Sequence, residues 1–453
     1  MLLTFTLSAK ILPGTLGPGQ SRCCRATGIY CRLAAVPVNE IFRKTSEGSL
    51  ETHAPQKIVV VIGTRPEAIK LAPVVLELQR HRALFETRIC VTGQHREMLD
   101  QMLQVFGLRP DYDLCVMKAG QNLAEVTAAC ITGLDLILRR ERPALVLVQG
   151  DTTTTFAAAL AAYYCRIPVG HIEAGLRTGK KDDPFPEEIN RRLATHVTDF
   201  HFAPTEGARN NLLAEGVSPE NVTVTGNTVI DALFLTQARL AKTPSLAADS
   251  LGPTDGLKII LVTAHRRESF GRPFRRICEA VRAIAEQRPD VLVVYPVHLN
   301  PNVQAPVHEI LDGVPNIRLL APLDYLSFVA CMQRSYILLT DSGGIQEEGP
   351  ALGKPVLVMR ELSERPEAIA AGTACLTGTN PEAIVAAVIS LLDDPACYKR
   401  MTGRPNPYGD GHAAERIVQF LISRVTNLRP PTGPGCRDQD AAPETPIEVA
   451  SSL

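Results

Sequence analysis

The sequence KIVVVIGTRPEAIKLAP at residues 57–73 is the clearest indication of the fold class. A short run rich in β-branched residues, Lys57–Ile62, is followed by a Gly-Thr turn and then by a helical pattern that starts at Pro66. A buried strand, a tight turn and a helix in this order form the first half of a parallel βαβ unit. The segment therefore predicts an α/β fold built on a parallel sheet.

The alternation of strand and helix continues along two stretches of the chain. Further strand-like runs lie at Thr87–Thr92, Ala144–Gln149, Ile167–His171, Phe200–Ala203, Val222–Thr225, Lys258–Thr263, Val291–Tyr295, Ile317–Leu320, Tyr336–Thr340 and Pro355–Met359. Helical patterns start at Gln94, Thr152, Asp324, Gly343 and Pro381, and another covers Glu187–His196. This series is typical of repeated parallel βαβ units.

A polar stretch at residues 241–256, with two prolines and two glycines, separates the two series. We interpret it as a linker between two Rossmann-like doubly wound domains, at residues 57–240 and 257–400. Open α/β sheets bind their ligands at the carboxyl ends of the strands. We therefore expect the domains to face a central cleft that contains the active site.

The two ends of the chain differ from the body. Residues 1–39 contain no Asp or Glu, so residues 1–56 are interpreted either as a disordered extension or as a targeting peptide. A helical pattern at Ala413–Val425, within residues 401–428, is expected to pack back on the first domain. The Pro- and Gly-rich residues 429–453 are predicted to be a disordered tail.

The composition bounds the kind of protein. A net charge of -1 over 453 residues gives no electrostatic reason to expect nucleic acid or an anionic membrane as a partner. The chain has no uninterrupted apolar run of the roughly 20 residues that a membrane span needs. The 12 cysteines are scattered without a Cys-x-x-Cys pair, which favours buried thiols and a cytoplasmic location over a disulfide scaffold.

Two turns combine small residues with the start of a helix, where unpaired N–H groups attract anions. The first, Gly63–Glu67, has Lys70 one turn further on, although a simple strand-to-helix turn explains the same pattern. The second, Asp341–Gly344, has two glycines that permit close approach of a phosphate, and we expect it to be the better phosphate site. Glu347 and Glu348 are both positioned to accept ribose hydroxyl groups, and spacing alone does not choose between them.

Three carboxylates are expected at the same edge of the first sheet. Asp151 and Glu173 each follow a strand, and Glu187 opens a helix. Carboxylates at a cleft suit acid–base catalysis. The structural alternatives are that Asp151 merely caps the following helix and that Glu187 forms an i,i+4 ion pair with Arg191.

Two histidines, His265 and His298, follow strands of the second domain. Neither has zinc-site spacing, so we predict no metal and assign the histidines to diphosphate contact or proton relay. The sequence contains neither a GxGxxG motif after a strand nor a GxxxxGK[ST] motif. This absence disfavours tightly bound NAD and P-loop hydrolysis, and no cofactor is expected.

Ten motifs together resemble the non-hydrolysing UDP-N-acetylglucosamine 2-epimerases. They match in order and spacing from about Lys57 to Val425. The motifs are GTRPEAIKLAP at 63–73, GQHREMLDQ at 93–101, QGDTTTT at 149–155, HIEAGLRTG at 171–179, PFPEEINRR at 184–192, TGNTVID at 225–231, TAHRRESFG at 263–271, YPVHLNPNV at 295–303, TDSGGIQEEGPALGKPVLVMR at 340–360 and ERPEA at 364–368.

The resemblance implies a B-type glycosyltransferase fold, a homodimer and a UDP-sugar substrate. It implies interconversion of UDP-N-acetylglucosamine and UDP-N-acetylmannosamine for polysaccharide biosynthesis. The family's catalytic residues fall on Asp151, Glu173, Glu187, Arg191 and His265. The residues of its nucleotide site fall on Arg65, Lys70, His298, Ser342, Gly343, Gly344, Glu348 and Arg365.

Some members of this family are activated by substrate at a second, adjacent site. The resemblance places Gln94 and Arg266 there, although Glu97 stands where some members have Gln. Three other functions remain open from the residues: a hydrolysing 2-epimerase, a B-type glycosyltransferase, and a UDP-sugar sensor without turnover. The three cleft carboxylates argue against the sensor.

Overall fold

The computed structural model describes residues 54–93, 96–118, 120–246, 251–254 and 256–424. The predictions for the N-terminal extension up to residue 53, for the tail and for Gln94 lie outside these residues. The described chain contains two separate parallel sheets.

The first sheet has seven parallel strands in the order β3-β2-β1-β4-β5-β6-β7. The strands are β1 Gln56–Ile62, β2 Phe85–Val91, β3 Tyr112–Asp113, β4 Leu145–Gln149, β5 Val169–Ile172, β6 Phe200–Ala203 and β7 Val222–Val224. The helices between and after them are α1 Arg65–Arg80, α2 Arg96–Phe106, α3 Leu123–Glu141, α4 Thr153–Tyr164, α5 Glu187–His196, α6 Glu206–Ala214 and α7 Thr228–Lys242. Residues 58–62 and 145–149 are buried because helices cover both faces of a parallel sheet.

The second sheet has six parallel strands in the order β10-β9-β8-β11-β12-β13. These are β8 Lys258–Thr263, β9 Val291–Pro296, β10 Ile317–Leu320, β11 Ile337–Thr340, β12 Val356–Val358 and β13 Ala374–Leu376. The accompanying helices are α8 Arg272–Gln287, α9 Pro301–Leu311, α10 Tyr325–Arg334, α11 Gly343–Ala351, α12 Pro366–Ala371, α13 Pro381–Asp393, α14 Pro395–Thr402 and α15 Ala413–Arg424. Two parallel sheets with interleaved helices confirm the predicted α/β class.

The strand order of each sheet reverses at one point, between β1 and β4 in the first and between β8 and β11 in the second. Such a switch point opens a crevice at the carboxyl ends of the strands, because the two flanking connections leave in opposite directions. The loops that follow these four strands begin with Gly63, Gly150, Ala264 and Asp341. The loops at both switch points thus contain candidate site residues that were predicted from the sequence.

The last helix, α15, packs against the first sheet rather than the second. The Phe420 ring lies 5.5 Å from that of Phe200 and 5.4 Å from that of Phe202. The carboxylate of Asp231 accepts hydrogen bonds from the N–H groups of Ala413 and Ala414, at 3.2 and 2.8 Å. A carboxylate at this position satisfies the unpaired N–H groups of the helix start. The boundaries at residues 240 and 257 stay a prediction.

Some element bounds differ from the sequence prediction for clear physical reasons. The run Ile167–His171 was expected to form one strand, but β5 is Val169–Ile172. Pro168 has no N–H group to donate to a neighbouring strand, so the strand begins after it.

Cys90, Cys130, Cys278 and Cys331 are buried thiols. Within the described residues, no helix is both long and apolar enough to cross a membrane.

Candidate active site

Glu173 occupies a strained position directly after β5. Its φ of 63° lies in the left-handed region, which a residue with a side chain rarely adopts and which costs on the order of 1–3 kcal/mol. The carboxylate accepts hydrogen bonds from Lys70 Nζ at 2.7 and 2.6 Å and from Asn227 Nδ2 at 2.8 Å. Gln149 Nε2 donates a further hydrogen bond to it. The fold thus holds this buried carboxylate in one orientation from three sides.

The surroundings of Glu173 favour its ionised form. Burial raises the pKa of this carboxyl, but the nearby charges of Lys70 and Arg365 and the hydrogen bonds outweigh it, so that the pKa lies below its ordinary value. Burial lowers the pKa of Lys70, but Glu173 and Glu347 more than compensate and raise it. Glu173 and Lys70 therefore form a buried ion pair at neutral pH.

Glu347 of the second domain joins this cluster. Its carboxylate accepts a hydrogen bond from Asn227 Nδ2 at 2.6 Å and another from Arg365 Nε. Asn227 therefore donates one hydrogen bond to a carboxylate of each domain, Glu173 and Glu347. Burial raises the pKa of Glu347, although Arg365 and Lys70 oppose this. A buried charged network thus connects the carboxyl end of the first sheet to α11.

Asp151 lies in the turn after β4 and is held there by hydrogen bonds to the backbone. His171 Nε2 lies 2.7 Å from the carbonyl oxygen of Gly150, and Asn190 Nδ2 donates to the carbonyl oxygen of Asp151 at 3.0 Å. The side chain of Asp151 accepts a hydrogen bond from Arg191. Thr152 rather than Asp151 caps α4, because its Oγ1 accepts the N–H of Thr155. The alternative of a simple helix cap is therefore wrong.

The second structural alternative also fails. Arg191 pairs with Glu188 at 3.3 Å and with Asp151, rather than with Glu187. Glu188 is completely buried and also bonds Arg192. Glu187 is partly exposed and has no ion-pair partner within the described residues. Glu187 therefore does not form the i,i+4 ion pair with Arg191 that was the structural alternative to a catalytic role.

The turn at Gly63 differs from the expected anion site. The N–H groups of Gly63 and Thr64 donate to Glu67 Oε2 at 2.8 and 2.5 Å. The hydroxyl group of Thr152 donates to the other oxygen of Glu67 at 2.6 Å. The Thr155 hydroxyl lies 3.1 Å from the same oxygen but donates to the carbonyl oxygen of Gln149 at 2.6 Å. These two backbone amides already have an acceptor. Of the predicted anion site, only the side chains of Arg65 and Lys70 remain available, and Lys70 is paired with Glu173.

The turn after β11 has a different arrangement. The carboxylate of Asp341 is completely buried and accepts the N–H groups of His265 and Arg266, at 2.6 and 2.7 Å. Asp341 thereby fixes the loop after β8. The helix α11 then begins at Gly343 without a capping bond from the side chain of Ser342 and without an acidic residue in its first turn. Its first N–H groups are therefore suited to an external anion.

The two predicted histidines lie together beside this helix start. The rings of His265 and His298 are stacked, with 5.3 Å between their centres and 8° between their planes. His265 Nδ1 lies 3.6 Å from Asp341 Oδ1. Burial lowers the pKa of His265, against the opposing charge of Asp341. His265 is therefore neutral at pH 7 and has one ring N–H to donate.

The structure distinguishes Glu347 from Glu348, which the sequence did not. Glu347 is bonded to Arg365 and Asn227, whereas Glu348 has no hydrogen-bond partner in the part of the chain that is described. Burial, reinforced by the charge of Glu347, raises the pKa of Glu348 to about 8. Of the two glutamates, Glu348 is thus the one whose carboxyl group has no internal hydrogen bond within the described residues.

Sequence reasoning missed two residues of the cluster, Gln149 and Asn227. Both stand in quoted motifs, but neither is charged, and an uncharged amide side chain does not by itself indicate acid–base chemistry. Asn227 also accepts the N–H of Val229 and so caps α7. The sequence signal for Asn227 was its position directly before a helical pattern, but such a position predicts only a helix cap and not a contact with a carboxylate.

A cavity of about 290 Å³ adjoins the cluster and is lined by both domains, including Arg191 and Arg365. The structure thus brings Lys70, Glu173 and Arg365 into one network, and Asp151 with Arg191 into a second group. His265, His298 and Asp341 form a third group at the start of α11. Among the described residues, no three His, Cys, Asp or Glu side chains are grouped to hold a metal ion.

Comparison with known proteins gives a consistent result. The family model for UDP-N-acetylglucosamine 2-epimerase matches residues 76–422. The UDP-N-acetylglucosamine 2-epimerase of Yersinia pestis is 56% identical over 376 residues, which cover 82% of this chain and 100% of that protein.

Solved structures agree. The UDP-GlcNAc 2-epimerase of Neisseria meningitidis bound to UDP-GlcNAc is 49% identical, with a TM-score of 0.76 over 81% of this chain and 100% of that one. The glycotransferase of kitacinnamycin, 16% identical with a TM-score of 0.56 over 82% of this chain and 100% of that one, shares the fold alone. The chain therefore belongs to the UDP-N-acetylglucosamine 2-epimerase family and is an epimerase.

Proposed function

We propose that this protein interconverts UDP-N-acetylglucosamine and UDP-N-acetylmannosamine without hydrolysis, by eliminating UDP and adding it back. The observation that carries the proposal is the ionised Glu173, held on a strained turn at the junction of the two domains. An ionised, oriented carboxylate is suited to accept a proton from a sugar carbon. The names of the relatives, and the UDP-GlcNAc bound to the Neisseria protein, support the substrate.

The order of bond changes follows from the chemistry of the sugar. Carbon 2 has no adjacent carbonyl group, so its proton is not acidic until the bond from carbon 1 to the UDP oxygen breaks. The electron pair of that bond leaves with UDP, and positive charge develops on the ring. A carboxylate then takes the proton from carbon 2 and a glycal with a carbon 1–carbon 2 double bond forms. Protonation from the opposite face and return of UDP give the epimer.

Asp151, Glu173 and Glu187 share the acid–base roles in this proposal, because two faces of the sugar require two groups. Arg191 is bonded to Asp151 and orients it. Carboxylates near the ring also stabilise its developing positive charge. We assign no face to an individual carboxylate.

The leaving diphosphate is assigned to the start of α11 and its neighbours. The N–H groups of Gly343 and Gly344 and the hydroxyl group of Ser342 provide donors for negative charge as it grows on UDP, whereas the Ser342 N–H already donates to Thr340 Oγ1 at 2.9 Å. Neutral His265 donates one further hydrogen bond. Cations and the second histidine complete this set: Arg65, Lys70, Arg365 and His298. Glu348 accepts hydrogen bonds from the ribose hydroxyl groups.

We further propose that the protein is a homodimer in the cytoplasm. Four large apolar side chains on the outer faces of the neighbouring helices α3, α4 and α5 are 43–59% exposed: Leu136, Tyr163, Tyr164 and Leu193. Exposed apolar side chains on neighbouring helices favour association with a second copy. The buried thiols are consistent with a reducing compartment.

The experiment that tests this function is phosphorus NMR of the protein with UDP-N-acetylglucosamine and no acceptor. We expect a new diphosphodiester, UDP-N-acetylmannosamine, and no accumulation of free UDP. Free UDP with free N-acetylmannosamine would show a hydrolysing 2-epimerase. Turnover that requires an added acceptor would show a glycosyltransferase, and binding without turnover would show a sensor.

A further inference from the structure

The acceptor positions of the Glu173 carboxylate are all filled. Oε1 accepts from Lys70 at 2.7 Å and from Asn227 at 2.8 Å, while Oε2 accepts from Lys70 at 2.6 Å and from Gln149. An ionised carboxylate has about four positions for hydrogen bonds. A proton from the substrate therefore finds no free lone pair. Glu173 acts as a base only after one of these three donors leaves.

Of these donors, Lys70 is the one that is free to move. Asn227 is fixed because it also bonds Glu347 and caps α7. Gln149 belongs to β4, where neighbouring strands hold the backbone. Lys70 instead carries its charge at the end of a flexible four-carbon side chain. It is also the one cation bonded to Glu173 among the described residues.

The other charged groups around Glu173 do not fill its lone pairs. Arg365, which precedes α12, acts on Glu173 through space and is bonded to Glu347 of α11. His171 of β5 is neutral, because burial lowers its pKa to about 4. Release of Lys70 would therefore leave Glu173 buried and without a cation in direct contact.

Charge determines where the Lys70 ammonium group can move. Its ammonium group interacts with both Glu347 and Glu348, in the helix whose start is the proposed diphosphate site. A diphosphate at that start introduces negative charge beside Lys70 that competes with Glu173 for the ammonium group. Phosphate oxygens are good acceptors for a lysine.

We propose that the substrate's diphosphate draws Lys70 away from Glu173 and thereby releases this carboxylate for proton transfer. The inference rests on the proposed function. Lys70 moves from carboxylate to phosphate, and one position on each oxygen of Glu173 becomes free. Loss of the cation also favours the protonated form of a buried carboxyl. Without nucleotide, the lone pairs of Glu173 stay occupied by its hydrogen-bond donors and cannot accept a proton. The base therefore becomes active only when the leaving group is bound.

The release of Glu173 is measurable as proton uptake, without turnover. Calorimetry of UDP binding in buffers of different ionisation enthalpy, repeated between about pH 5 and pH 7, counts the protons that are taken up. The Glu173→Gln variant removes the carboxyl group and corrects for protons exchanged by UDP itself. We expect the wild type to take up more protons than this variant near pH 5, with a difference that falls towards pH 7, where the released carboxylate stays ionised and acts as the base.

Two further variants locate the source of the effect. Lys70→Gln leaves Glu173 without its cation before UDP binds, so the excess proton uptake should disappear. Lys57→Gln is the matched control, because Lys57 is paired with Glu141 at 2.7 Å, away from the cluster. The excess should persist in that variant. Thermal unfolding verifies that each variant is folded, and the comparison of wild type with Glu173→Gln stands without Lys70→Gln.

Equal proton uptake by the wild type and Glu173→Gln, with UDP bound to both, would overturn the inference while leaving the proposed function intact. Persistence of the excess in folded Lys70→Gln would also overturn it, because Lys70 would not be the group that leaves. Failure of the wild type to bind UDP would instead overturn the proposed function.

Discussion

The helices α1 and α11 both begin at a switch point, and both bury a glutamate near their start, yet the two starts differ. In α1, Glu67 accepts hydrogen bonds from the N–H groups of Gly63 and Thr64 and from the hydroxyl group of Thr152. In α11, the first turn has no acidic residue and no side-chain cap, and Glu348 has no hydrogen-bond partner within the described residues.

This difference in hydrogen bonding distinguishes a helix start that is satisfied within the protein, in α1, from one that is suited to bind a ligand, in α11. Unpaired N–H groups require an acceptor, and α1 finds one inside the protein. At the start of α11 the Ser342 N–H donates to Thr340 Oγ1 at 2.9 Å, but the N–H groups of Gly343 and Gly344 have no acceptor within the described residues and can donate to a diphosphate. Two turns that look alike in sequence therefore have different tasks: the first stabilises the fold and the second is proposed to bind the nucleotide.

Replacing Glu67 breaks the structural start. Glu67→Ala leaves two backbone N–H groups and the Thr152 hydroxyl group without this acceptor, in a buried place. Because unpaired buried donors are costly, we expect the free energy of unfolding to fall by about 3–5 kcal/mol. Denaturant unfolding measures this loss. A loss below about 1 kcal/mol would show that the α1 start does not depend on its internal carboxylate.

Replacing Glu348 tests the contrast through pH. The pKa of Glu348 is raised from 4.5 to about 8 by burial, so its protonated form is favoured in the folded state. This contribution to stability is complete below about pH 4.5 and is lost as the pH rises to about 8.

Glu348→Gln removes this dependence. Relative to the variant, the wild type should lose stability by roughly 4 kcal/mol between these pH values, since each pKa unit corresponds to about 1.4 kcal/mol. Unfolding curves across the range test this, and parallel pH profiles for the two proteins would contradict it.

A matched pair of glycine substitutions sharpens the comparison. A Cβ at Gly63 would overlap the side chain of Thr154, whereas a Cβ at Gly343 would have its nearest neighbour, Arg266, at 3.7 Å. We expect Gly63→Ala to lower the free energy of unfolding by about 2 kcal/mol. Gly343→Ala should unfold like the wild type but bind UDP more weakly, because the Cβ obstructs the phosphate. The reverse pattern would contradict the assignment of the two turns.

Replacing Ser342 has the mildest expected effect. Its side chain makes no capping bond in α11, so Ser342→Ala should leave the stability unchanged within about 0.5 kcal/mol. Loss of one donor to the diphosphate should weaken UDP binding by about 1 kcal/mol, roughly fivefold. Calorimetry of UDP binding, with thermal unfolding as the control, measures both. Loss of stability without loss of affinity would place Ser342 in the structure rather than in the site.

The sequence predicted the strands around the switch points because their buried, β-branched runs are distinctive. It also led to the loops that follow them, including Asp151 and Glu173. It did not predict β3, which has only two residues, or β13, whose sequence Ala-Cys-Leu lacks the β-branched residues that mark the equally short β7 and β12.

Side-chain partners were harder to predict, because they join distant parts of the chain. Lys70 and Glu173 are 103 residues apart, and Asn227 and Glu347 are 120 apart. Local spacing paired Arg191 with Glu187, but the fold turns Arg191 towards Asp151 and Glu188. The charged residues near the start of α1 likewise gave no indication that Glu67 accepts hydrogen bonds from the backbone N–H groups of Gly63 and Thr64. Periodicity predicts elements, whereas these contacts depend on how the elements pack.

The proposed reaction is tested most directly by proton NMR of the purified protein with UDP-N-acetylglucosamine in deuterium oxide, repeated for Glu173→Gln. Elimination through a glycal predicts UDP-N-acetylmannosamine with deuterium at carbon 2, and loss of this exchange in the variant. Epimer that retains its original hydrogen at carbon 2, or no epimer from the wild type, would contradict the account.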